Sequence, residues 1–441
     1  MKNNRIKKII ANIVAALMCT CSVPFYASAE NNAERIHDDV LNETDISLAM
    51  QTSIPRMLWA LKNKPEYLGF EVSDNAVMGE LFTVADIENG ILSNDTSIAY
   101  YPISSNGSVV AVITLIKSDG EVTTTIGKDF SDKLEPVLKE RRNVSLVSIN
   151  NSNIVAVDNC GNTDIITSDG TISDIDIQNA LPEKIINDSN VADSYTISNS
   201  EVYDHTIPIK DIIGLYSENI ENIRKNYYTL DSSVSSEIVS RGCINFSSAN
   251  SINVLPDNIL DTYDPNATAM GDYLDEYETV YQGNLPICWA STIASMLRWE
   301  LPSVYSGYTG IDVCDDLGHS YTGAYDYDVD DYLTSFLTPY NNNYIPTYEN
   351  TVYSQYDIGV IINNEDPAYM GCLAPSGSRH ATALCGFLIY SDDTFAIRLM
   401  NPGTGSFQLS DREYSSTTFR YAYNGTYFTW VRSVRFYYQH A

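Results

Sequence analysis

Positive charge is scarce in this chain of 441 residues. Lys and Arg together number 26 against 57 Asp and Glu, giving a formal net charge of −31. So acidic a surface repels phosphate backbones and anionic lipid, which argues against nucleic-acid binding and electrostatic docking on a membrane. Lysine is absent altogether after Lys225. Cysteine is sparse as well: Cys160, Cys243, Cys288, Cys314, Cys372 and Cys385 follow Cys19 and Cys21, and no two form a C-x-x-C pair. Six cysteines in about 410 residues are too few for a disulfide scaffold, and the missing pair excludes a zinc ribbon or a thioredoxin-type site. Their pairing is left open by the sequence. Beyond residue 29 no stretch is long and apolar enough to span a bilayer.

At 44% hydrophobic and 19% charged residues the chain can bury a core, and its length suits two or three domains. It opens with a basic head of Lys2, Arg5, Lys7 and Lys8. An apolar run over residues 9–18 follows, and then Ala27-Ser28-Ala29. This three-part pattern predicts a secretory signal peptide over 1–29, hence a secreted, extracellular protein.

Composition divides the rest. Residues 265–441 hold no lysine and 22 of the 32 tyrosines. Residues 241–264 lie in a Ser-, Asn-, Asp- and Pro-rich stretch that reads as an exposed linker. The region before it, 30–240, predicts an α+β domain with an antiparallel sheet. Asn42-Glu43-Thr44-Asp45 offers helix caps, and Ile54, Leu58 and Leu61 continue a helical period. Pro55 in that run implies either two helices or one with a kink. Strands are expected over 108–116 and 121–126, flanked by Ser105-Asn106-Gly107 and Ser118-Asp119-Gly120 turns. A helix over 131–140 and short strands over 144–172 follow. His37, His205 and Cys160 stand alone in sequence and suggest no chemistry.

The C-terminal region does suggest chemistry. In Gln282-Gly283-Asn284-Leu285-Pro286-Ile287-Cys288-Trp289-Ala290, a helical period begins at Cys288 and runs through Ile293 and Leu297. A cysteine in the first turn of a helix meets unpaired N–H groups and the positive dipole end, which favour thiolate, the nucleophilic form. A buried structural cysteine is the competing reading. Six residues upstream, the Gln282 amide could join the Cys288 N–H as a second donor to one oxyanion.

A cysteine nucleophile needs a base. His380 opens a run of small and apolar residues, 380–389, that reads as a strand. His319, in the loop Asp316-Leu317-Gly318-His319-Ser320, is its rival. The next expected strand ends at Asn401-Pro402-Gly403, and a hairpin turning near 391–393 returns Asn401 beside His380. Its amide oxygen could then accept from the imidazole N–H and orient the ring. Asn401 as an ordinary turn residue before Pro402 is the alternative. The acidic segment Tyr325-Asp326-Tyr327-Asp328-Val329-Asp330-Asp331 lacks the Gly and Glu of a calcium loop and reads as a helix start.

Gln282, Cys288-Trp289-Ala290, His380-Ala381 and Asn401, in this order and with six residues from Gln to Cys, resemble the papain-like cysteine peptidases. The resemblance covers 265–441. It departs from the plant and lysosomal members in three ways. No cysteine shortly precedes Cys288, Pro402 follows Asn401 where they carry Trp soon after, and only 92 residues separate Cys288 from His380. The chain is thus more similar to the compact bacterial branch, the staphopain-like and double-glycine leader peptidases. The resemblance implies a papain-like catalytic domain, an N-terminal helix carrying the cysteine plus an antiparallel sheet. It assigns Cys288 as nucleophile, His380 as general base and acid, Asn401 as orienter and Gln282 as oxyanion donor. It further implies a protein or peptide substrate, no metal or organic cofactor, and residues 30–240 as a propeptide that inhibits the enzyme until cut. A permanent accessory domain is the alternative for that region. For the whole chain the alternatives are a catalytically silent papain-like binding module and acyl-transfer chemistry.

Overall fold

The computed structural model describes residues 39–88, 91–93, 97–129, 131–140, 143–149, 153–158, 162–167, 196–198, 206–214, 269–340, 344–390, 394–412 and 418–438. The expected signal peptide 1–29 and linker 241–264 fall outside the described residues, as do His37, Cys160, His205, Cys243 and His440. The chain is of mixed α and β structure with antiparallel sheets, in keeping with an α+β class.

Two helices open it, α1 (Glu43–Gln51) and α2 (Ser53–Asn63). Asn42 and Asp45 form a capping box on α1, and the chain breaks at Thr52. Pro55 lies in the first turn of α2, where its missing N–H has no intrahelical partner to lose. A meander follows: β1 (Val77–Met78), β2 (Ile98–Ser105), β3 (Ser108–Ser118) and β4 (Glu121–Gly127). Its two tight turns are Asn106-Gly107 and Asp119-Gly120. All four residues have φ between 54° and 79°, as the sequence signals Asn-Gly and Asp-Gly require. Strand β2 is not apparent in the sequence, because Pro102 sits inside it and proline usually argues against an inner strand. Helix α3 (Ser131–Glu140) matches its expected span. Strands Asn143–Ile149, Asn153–Asp158 and Thr163–Thr167 belong to a separate sheet, six-stranded among the described residues.

In the C-terminal region the chain forms β5 (Ala269–Tyr273), α4 (Cys288–Glu300), α5 (Gly310–Leu317), α6 (Val329–Leu337), β6 (Tyr344–Glu349) and α7 (Gln355–Asn363). The strands β7 (Ala368–Leu373), β8 (Arg379–Tyr390), β9 (Phe395–Asn401), β10 (Ser406–Arg412), β11 (Arg420–Tyr423) and β12 (Thr426–Tyr438) complete it. Among the described residues, the main sheet has thirteen strands. Its path runs Ile207–Pro208, β1, β2, β3, β4, β10, β9, β8, β7, β12, β6, with β5 added to β8 and β11 to β12.

The join at β4 and β10 places strands from both regions in one sheet, through the pairs Leu409↔Ile126 and Ser410↔Thr125. Apolar side chains continue across it, with Ile54, Leu58, Ile113 and Ile126 sharing a core with Leu388, Tyr390, Ala396 and Leu409. Polar contacts made by the buried Arg398 and Arg420 cross it too. Arg398 Nε donates to Tyr67 O at 2.9 Å, and Arg420 meets Asp119 at 2.8 Å. Among the described residues no helix is long and apolar enough to cross a membrane.

Candidate active site

Helix α4 carries Cys288 as its first residue. Ile287 at the N-cap has no side chain able to claim the free N–H groups, so the first-turn donors are left to the Cys288 sulfur and to whatever enters the cleft. The approach to it is set by Gly283, whose φ of 66° favours glycine. The helix buries Trp289, Ala290, Ile293, Ala294, Met296 and Leu297. Trp289 Nε1 donates to Thr322 O at 2.8 Å, which ties the turn beside Cys288 to the loop after α5.

His380 lies on β8, 5% exposed, and Asn401 ends β9 fully buried. His380 Nε2 donates to Asn401 Oδ1 at 2.9 Å. An amide oxygen can only accept, so the imidazole proton resides on Nε2. Nδ1 makes no hydrogen bond among the described residues. Asn401 is held in turn: its Oδ1 also accepts from Gly403 N–H at 2.9 Å, and its carbonyl accepts from Gly405 N–H at 2.8 Å. The same loop positions Gln282, whose N–H donates to Pro402 O at 2.9 Å. The Gln282 side-chain oxygen Oε1 is buried and without a hydrogen-bond partner among the described residues. It is thus an uncommitted polar group beside Cys288.

Cys288, His380 and Gln282 line one cleft of ≈ 210 Å³. Asn401 sits behind His380 rather than on the cleft wall. His319 does not line the cleft; its Nδ1 lies 2.7 Å from Ser320 O and its ring packs on Trp289.

The opposite wall includes Gly323, Ala324, Asp326 and Tyr369. Asp326 stands in the acidic segment read as a helix start, and α6 does begin there. Its own carboxylate is nevertheless buried, accepting from Tyr369 Oη and paired with Arg432, each at 3.0 Å. An adjoining groove of ≈ 330 Å³ shares Gly283, Asn284, Tyr423 and Asn424 with the cleft, and Lys128, Asp129 and Lys133 of the N-terminal region wall it.

Three rings surround the imidazole: Tyr423 stacks on it at 4.7 Å, with Phe428 at 5.4 Å and Tyr421 at 6.1 Å. Gly403 makes room for Tyr423, since a Cβ there would collide with the phenol. None of these rings was signalled by sequence, because β11 and β12 reach His380 only through the folded sheet. Burial by them has an electrostatic consequence. It lowers His380 from its ordinary 6.5 to about 4, with the Asn401 bond pulling the other way.

Burial likewise raises the Cys288 thiol from 9.0 to about 11. The Ala381 and Trp289 N–H groups oppose the shift, and the Asp326 charge adds to it. Desolvation thus opposes the helix start: it favours the neutral thiol at Cys288 and the neutral imidazole at His380, which line the same cleft. The cysteines Cys314, Cys372 and Cys385 are free and buried. No protein-family model matches the chain, and no curated protein does either.

Proposed function

We propose that this chain is a secreted cysteine endopeptidase with a papain-like catalytic region at 265–441. The observation that carries the reading is the 2.9 Å bond from His380 Nε2 to Asn401 Oδ1. It leaves the basic Nδ1 unclaimed in the cleft that also holds Cys288 at its helix start and the Gln282 side chain, whose Oε1 has no partner among the described residues.

In this mechanism Cys288 Sγ attacks the carbonyl carbon of a bound peptide while Nδ1 of His380 takes the thiol proton. The oxyanion forms against the Cys288 N–H and the Gln282 amide. His380 then returns the proton to the leaving amine, and water hydrolyses the thioester with His380 again as base. Imidazole burial keeps the base neutral before attack, and Asn401 stabilises the imidazolium that forms.

For residues 30–240 the structural relationships support a permanent part over a departing propeptide. The described residues of this region do not line the Cys288 cleft; they wall the adjoining groove instead. They also share a sheet and a core with the catalytic region. A cut in 241–264 then leaves the two regions associated.

The test is labelling with an epoxysuccinyl thiol-peptidase probe, peptide mapping, and turnover of a peptide library. Label on Cys288, with turnover lost in a folded Cys288→Ala variant, is expected. Normal turnover by that variant overturns the reading. Absent labelling with retained peptide binding assigns the fold to a silent binding module.

A further inference from the structure

We propose that Gln408 is a positioning residue that sets the His380 tautomer through Asn401, and that Gly127 of the N-terminal region holds it in place. The proposal deepens the peptidase reading above and rests on it for its catalytic meaning.

Gln408 lies on β10 and is 2% exposed. Asn401 Nδ2 donates to Gln408 Oε1 at 3.4 Å, and Gln408 Nε2 donates to Ala422 O at 3.4 Å. The direction of this chain is fixed at its far end. A backbone carbonyl can only accept, so Gln408 must turn its NH2 toward Ala422 and its oxygen toward Asn401. Asn401 must then give its NH2 to Gln408 and its oxygen to His380. The imidazole is left with its proton on Nε2 and a lone pair on Nδ1, the arrangement a base needs. Were the Asn401 amide reversed, Nδ2 would face the ring, the proton would move to Nδ1, and that nitrogen could not accept from sulfur. Gly403 N–H secures the oxygen end of Asn401, and Gln408 secures the nitrogen end.

Gln408 itself lies against the N-terminal region. In the antiparallel register Leu409 faces Ile126, so Gly127 stands beside Gln408. A Cβ on Gly127 would collide with Gln408 Cγ and lie 3.2 Å from Nε2. Glycine is needed there for space, since no left-handed φ is involved. The close approach presses the Gln408 stem into one position. The N-terminal region thus reaches the proposed base through Gly127, Gln408 and Asn401 in sequence.

The test uses the full chain with ¹⁵N-labelled histidine. Long-range ¹H–¹⁵N spectra read the His380 tautomer directly, whether or not any peptide is cleaved. Three variants are compared: Gln408→Met, which keeps length and removes the acceptor; Gln408→Glu, which keeps an acceptor toward Asn401; and Gly127→Ala. Wild type is expected to carry the proton on Nε2. Gln408→Met and Gly127→Ala are expected to populate the Nδ1–H form, and to lower kcat about tenfold or more with KM within about twofold. Gln408→Glu is expected to stay nearer wild type in tautomer than Gln408→Met, although a carboxylate is harder to bury than a thioether. A merely structural role predicts the opposite order. An unchanged His380 tautomer in Gln408→Met and Gly127→Ala overturns the proposal. A wild type with the expected tautomer response and no turnover of any peptide upholds it and overturns the peptidase reading instead.

Discussion

Arg56 and Asp411, 355 positions apart in sequence, form an ion pair at 3.0 Å with both side chains about 5% exposed. Arg56 belongs to α2 and Asp411 to β10, the strand that also carries Gln408. Asp411 Oδ1 accepts from Thr124 N–H on β4 at 2.7 Å, so the carboxylate bridges α2 and β4 of the N-terminal region to the C-terminal strand β10.

Breaking this pair strands a buried carboxylate. Arg56→Met is therefore expected to destabilise the protein by about 3–5 kcal/mol, while Arg56→Met with Asp411→Leu recovers much of the loss. Urea unfolding of the three proteins checks this. A single variant with an unshifted midpoint would show that the pair contributes nothing across the join.

The activity series orders the proposed roles. His380→Ala removes the proton carrier, whereas Asn401→Ala removes only the group that aims it. The first is expected to lower kcat/KM by about 10²–10⁴, and the second by a smaller factor. His319→Ala should leave turnover within about twofold, since that ring packs on Trp289 outside the cleft. Turnover by His380→Ala equal to that of His319→Ala would remove His380 from the mechanism.

What the sequence could and could not convey follows from the range of each interaction. The Cys288 helix start, the strand read over 380–389 and the turn after Asn401 are local patterns, and their residue types announce them. Gln282 is legible because its turn is short. Gln408, Tyr423 and Asp326 are not: Gln408 reaches Asn401 through the register of the β9–β10 hairpin, and Tyr423 and Asp326 reach the cleft through packing over tens of positions. The β4–β10 join has the same origin. Both strands look like ordinary members of their own sheets, and nothing in either names its neighbour. The environment of Cys288 is only half legible for a related reason. A helix start can be read from sequence, but the degree of burial that opposes it cannot.

The join makes a prediction about processing. With a specific protease site placed within 241–264, cutting is expected to leave both fragments in one peak on gel filtration, with activity retained. Full separation would leave β4 and β10 edges open and Asp411 without Arg56. If the fragments separate and the C-terminal one gains activity, residues 30–240 are a releasable inhibitor, and the shared sheet is only its docking mode.

The neutral resting pair predicts how Cys288 reacts with pH. Its thiol is raised to about 11, chiefly by burial, and His380 is lowered to about 4 by the same cause. Both shifts favour the uncharged forms around neutrality, so the thiolate, the form that reacts with iodoacetamide, is expected to be a minor species there. Its share grows about tenfold per pH unit below the thiol pKa. Alkylation of Cys288, followed by peptide mapping to separate it from the other thiols, should therefore climb steadily from pH 6 to pH 10. A preformed thiolate–imidazolium pair behaves differently: its alkylation rate levels off in weak acid and stays flat through neutrality. The His380→Ala variant sharpens the comparison. If the resting pair is neutral, losing the imidazole leaves the alkaline climb in place. If an ion pair prevails, the same change abolishes a neutral plateau. A flat wild-type profile from pH 5 to pH 8 would show that imidazolium, not burial, governs the sulfur.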